Sequence, residues 1–82
     1  MRLPLYQRVA LKVDVPEHGL RAGDVGCLID YVPHPSGGQD GCILEVFNAL
    51  GESIAVVTVP CSAVEALRSD EVLTVRALAQ AG

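Results

Sequence analysis

At 82 residues the chain has room for one domain with a thin core. Half of it is hydrophobic, which excludes a disordered chain, and the net charge of −4 opposes a duplex nucleic-acid surface. No apolar run nears the ~20 residues of a membrane helix, and the N-terminus lacks the apolar core of a signal peptide; a cytoplasmic protein that meets no membrane is expected.

Residues 1–7 read as a lead-in, extended at Pro4. Val9 and Leu11 alternate with Arg8, Ala10 and Lys12, which predicts a first strand over 8–13. Asp14 to Gly19 is turn chemistry and opens a long loop. Gly19, Gly23 and Gly26 frame that loop as it enters a second strand over 26–32. Asp24, placed before Val25-Gly26, is expected to accept loop amide hydrogen bonds. The Pro- and Gly-rich stretch 33–41 reads as a hairpin tip. Cys42 to Phe47 predicts the third strand, and Asn48-Ala49-Leu50-Gly51 a four-residue turn with Gly51 at positive φ. Glu52 to Val59 predicts the fourth strand, whose Ile54-Ala55-Val56-Val57 run suggests burial along its length. Pro60 to Ala63 breaks it, as a single 3₁₀ turn, and Val64 to Leu67 completes five strands. Over 69–78, Ser69 favours a capped helix, while Val72, Thr74 and Val75 favour an added strand; the strand is preferred. The spacing predicts one all-β domain over 1–82: a small five-stranded antiparallel barrel, its core over 6–67 and an extension over 68–82 that is an extra strand or a short helix.

The residues that carry chemistry are few. Cys27, Cys42 and Cys61 lack paired zinc spacing and read as small apolar thiols, although strand pairing would bring Cys27 near Cys42. His18 and His34 lie in loops, away from any thiol that would need a base. Asp24, Asp30, Glu45 and Glu52 read as solubilising acids rather than as a catalytic pair. The glycines at 19–26 are followed by no Lys-Ser/Thr and so make no phosphate cradle. Tyr6, Tyr31 and Phe47 are candidates for an exposed aromatic patch, with Phe47 expected in the core instead. No catalytic residue, metal or cofactor is expected.

The run Val9-Ala10-Leu11, Asp14-Val15-Pro16, Gly19-Leu20, Gly23, Val25-Gly26, then Glu45-Val46-Phe47, Gly51 and Val57-Thr58-Val59 resembles a family of short bacterial proteins known only as a domain of unknown function. The likeness covers roughly residues 6–67. It departs from the family pattern at Cys27, where Thr is common, and in a longer tip at 33–41. The resemblance implies a Src-homology-3-like barrel, no established activity, and a partner encoded beside it. A weaker likeness is to the KOW module of ribosomal and transcription proteins, which implies RNA contact; the acidic balance opposes it.

The expected function is therefore binding rather than catalysis. The chain reads as a protein-interaction module for a partner protein encoded nearby, antitoxin- or immunity-like in one form, with a KOW-like RNA-binding module as the alternative. The candidate partner-binding residues are Leu20, Arg21, Asp24 and Tyr31, and the candidate structural turn residues are Gly19, Gly23, Gly26 and Gly51. A homodimer through an unpaired strand edge is a further expectation.

Overall fold

The computed structural model describes residues 2–78. Five strands form one antiparallel sheet: β1 (Gln7–Leu11), β2 (Val25–Val32), β3 (Gly41–Phe47), β4 (Ser53–Pro60) and β5 (Val64–Ala66). The spatial order is β4-β3-β2-β1-β5, so β2 to β4 form a meander and β5 returns to the far side of β1. This order fits the small Src-homology-3-like barrel expected from the sequence. β4 and β5 are the two sheet edges. Two short 3₁₀ turns, Pro16–His18 and Cys61–Ala63, punctuate the long loop and the β4–β5 corner.

The core follows the two-residue period of pleated strands. Val9 and Leu11 of β1, Leu28 of β2, Cys42, Leu44 and Val46 of β3, and Val57 and Val59 of β4 turn inward. In β4 this alternation replaces the continuous burial suggested by Ile54-Ala55-Val56-Val57: Val57 is 2% exposed, while Val56 is 59% exposed. An edge strand packs only one of its faces, so half of an apolar run stays wet. The same parity turns Phe47 outward, one residue beyond buried Val46, and corrects its expected place in the core.

The Gly19-to-Gly26 segment has a more definite shape than a loop entering a strand. Val15 and Leu20 pair through two backbone hydrogen bonds of 2.9 and 3.1 Å across the first 3₁₀ turn. Gly19, at φ 68°, makes that reversal. Leu20 is thereby folded into the core. Gly26 is not a turn residue: it lies inside β2, where a Cβ would sit 3.2 Å from the Glu45 carbonyl oxygen of β3. Its glycine permits close strand approach.

The expected C-terminal strand or helix is absent among the described residues. After β5, Arg68 and Glu71 close a turn through Arg68 N–H to Glu71 Oε1 (2.6 Å) and Glu71 N–H to Arg68 O (3.1 Å). Residues 71–78 then run as an arm with no ladder partner. The arm is held by a side chain instead, as described below, so its β-branched residues favour an extended path without joining an edge. The part of the extension beyond 78 lies outside the described residues.

Candidate functional site

Two clefts gather the residues with binding or chemical character. The first, of about 520 Å³, lies between the β3–β4 turn and the C-terminal arm. Phe47, Leu50 and Ile54 form one side, and Leu73, Val75 and Leu78 of the arm the other. These side chains are exposed, from 42% for Phe47 and Ile54 to 85% for Leu50 and 90% for Val75. Ile54 owes its position to a register shift: Val46 faces Ala55 and Phe47 faces Ser53, so Ile54 is bulged out of the ladder. The turn is rigid. The Asn48 side-chain oxygen accepts hydrogen bonds from the backbone N–H of Leu50 (3.0 Å) and of Glu52 (2.9 Å), and its amide donates to Glu52 Oε1 (2.8 Å). Gly51 closes the turn at φ 83°.

At one end of this cleft the arm is clamped to the loop that enters β2. Arg76 donates through Nε to Asp24 Oδ1 (2.9 Å) and through Nη2 to Asp24 Oδ2 (2.5 Å), a two-pronged pair 52 residues apart in sequence. Nη2 also reaches the Gly19 carbonyl at 3.2 Å. Asp24 further accepts the Arg21 backbone N–H at 2.8 Å, the loop-amide bond expected of it. The Arg76 guanidinium holds the Asp24 carboxyl below its ordinary value; partial burial works against this, and the Arg21 amide adds to it.

The second cleft, of about 600 Å³, opens between β3, the second 3₁₀ turn and the N-terminal lead-in. Cys42 and Cys61 meet there with their Sγ atoms 2.7 Å apart. The Tyr31 hydroxyl donates to the Leu3 carbonyl at 2.6 Å, and the Arg2 guanidinium lies 4.4 Å over the Tyr31 ring while pairing with Asp40 at 2.5 Å. Burial raises the Tyr31 phenol above its ordinary value, and the two thiols add to the shift.

The four expected binding residues do not form one surface. Leu20, only 4% exposed, and Asp24 border the first cleft. Leu20 is a core side chain rather than an exposed docking residue, which corrects its expected role. Arg21 is exposed outside both clefts, and Tyr31 belongs to the second. The proposed aromatic patch also divides, since Phe47 and Tyr31 line different clefts. Cys27 faces Glu45 across β2 and β3, and it is Cys61 that meets Cys42, correcting the expected Cys27–Cys42 proximity.

Sequence reasoning missed Phe47, Ile54 and the arm as a site. Counting parity along β3 from Cys42 would have turned Phe47 outward. The Arg76–Asp24 pair had no local signal. His18 lies in the first 3₁₀ turn, and His34 Nδ1 accepts the Ser36 backbone N–H at 3.1 Å. Among the described residues no group of three or more His, Cys, Asp and Glu is placed to hold a metal ion, and no helix is long and apolar enough to cross a membrane.

No curated protein and no solved structure matches this chain. A family model matches residues 5–66, from the lead-in turn to the end of β5, leaving the arm beyond the match. The chain therefore belongs to the family described as Domain of unknown function (DUF4926).

Proposed function

We propose that this domain is a protein–protein interaction module, and that its binding surface is the apolar cleft between the β3–β4 turn and the arm. The observation that carries the reading is the row of exposed apolar side chains, Phe47, Leu50 and Ile54, on a rigid turn. Apolar side chains grouped in this way on a small domain mark interaction surfaces more often than chance exposure does. The arm indicates the chemistry of the occupant: an extended segment with alternate apolar side chains and one guanidinium for Asp24. A partner segment of that kind would displace residues 73–78 and seat on the face formed by Phe47, Leu50 and Ile54. The net charge of −4 favours a basic partner. The product of a neighbouring gene, in an antitoxin- or immunity-like pairing, is the first candidate.

The test is co-purification from the native host with tagged full-length protein and with Phe47→Asp. A partner retained by the parent and lost by the variant supports the reading. Capture of nothing above background, or equal capture by both, refutes it. RNA recovered in place of protein would support the KOW-like alternative, and sedimentation of the purified chain distinguishes a second copy from a different partner.

A further inference from the structure

We propose that Cys42 and Cys61 form a redox site: two thiols that close to an intrachain disulfide by exchange with a small disulfide of the glutathione class. The fold brings them together. Cys42 stands opposite Val59 in the β3–β4 ladder, and Cys61 follows two residues later, in the 3₁₀ turn that leaves β4. The Cys61 backbone N–H donates to the Asp40 carbonyl at 3.1 Å, which seats the 3₁₀ turn against the start of β3. The two Sγ atoms are thereby 2.7 Å apart. Closing the bond asks for side-chain rotation rather than backbone movement.

The site is accessible from one side only. Cys42 is 2% exposed, whereas Cys61 is half-buried and borders the cleft of about 600 Å³. The wall of that cleft is the N-terminal lead-in, fastened by Tyr31 to the Leu3 carbonyl and by Arg2 to Asp40. Burial, together with the neighbouring Cys61, pushes the Cys42 thiol up to about 12, so Cys42 stays protonated until it reacts. Cys61 is therefore the sulfur that meets the reagent.

The exchange balances in two displacements. Cys61, as thiolate, attacks one sulfur of the small disulfide; that S–S bond breaks, and one small thiol leaves with the proton Cys61 lost. The sulfur of Cys42 then attacks Cys61 in the mixed disulfide, and the second small thiol leaves with the Cys42 proton. Two protein thiols lose two electrons, and one small disulfide becomes two thiols. Cys27 takes no part: Leu28 faces the core, so Cys27 points to the opposite face of the sheet. The ring would tie the β3–β4 hairpin to the corner that launches β5.

The experiment treats the full reduced chain with oxidised glutathione and reads intact mass, alkylatable thiols and melting temperature. The expected product is about 2 Da lighter than the reduced chain, alkylates only at Cys27, and melts about 10 °C higher. Cys61→Ser, at a half-buried position, should show no mass loss and no stabilisation. Cys42→Ala should stop at a stable glutathione adduct on Cys61. A parent chain that stops at the adduct, keeps three alkylatable thiols, or bridges through Cys27 overturns the proposal. So does a metal that co-purifies on the pair and is released only by a chelator. None of these outcomes depends on whether the apolar cleft binds a partner.

Discussion

Leu20→Ala separates a docking residue from a core residue at one position. Leu20 follows a glycine and precedes an arginine in a loop, which invites a surface role, yet it is 4% exposed and packs in the core cluster. The substitution removes three carbons, a transfer loss of about 2.4 kcal/mol at ~0.8 kcal/mol for each. A residual cavity adds to this, and because Leu20 is carried by a loop that can close on the space, the total should stay near the lower end of Leu→Ala losses, about 3 kcal/mol. For a domain of this size total stability is on the order of 5 kcal/mol, so the variant keeps less than half of it. With a urea dependence of about 1 kcal/mol per molar, the midpoint should fall by roughly 3 M. Far-UV circular dichroism during urea titration is the assay, because the chain has no tryptophan. Leu50→Ala, at 85% exposure, is the control and should stay within about 0.5 kcal/mol of the parent. A Leu20→Ala midpoint that matches the control would refute the core assignment and return Leu20 to the surface.

Three further predictions concern the clamp, the turn and the cleft. Because Arg76 lowers the folded-state value of Asp24 beneath the ordinary 3.8, the pair's contribution is fully present above that value and is lost as pH falls through the lower folded one. Urea midpoints measured down an acid series should therefore drop further for the parent than for Asp24→Asn, and parallel curves would deny the clamp a role in stability. Gly51→Ala places a side chain at φ 83° in otherwise open space and should cost about 1 kcal/mol from backbone strain alone, with Gly51→Asn costing less; equal melting of Gly51→Ala and parent would contradict that turn geometry. Phe47→Asp, at a position 42% exposed, should cost about 1 kcal/mol and lower the urea midpoint by about 1 M, well short of unfolding, so that lost binding reports the surface.

The strands were legible because their signals are local. Gly and Pro punctuate the chain at 33–41, 51 and 60, and the observed strand limits fall within two residues of those expected from that punctuation and from alternation. Gly51 at positive φ and the amide-accepting Asp24 were legible for the same reason, since each acts on backbone within three residues of itself. Phe47 was misplaced because aromatic character was weighed above strand parity. Leu20 was misplaced because a short loop reveals nothing of what it folds over. The arm was misread because β-branched residues favour extended backbone whether or not a ladder receives it.

By itself, the sequence determined an acidic chain of five antiparallel strands and the turns that connect them, because pleat period and turn propensity are properties of neighbouring residues. Only the tertiary structure decided which apolar side chains are core and which form a surface. It seated Arg76 on Asp24 across 52 positions and set Cys61 rather than Cys27 against Cys42. Those pairings depend on strand register and on where the chain returns after β5, and both are settled by burying one shared core rather than by any local run of residues.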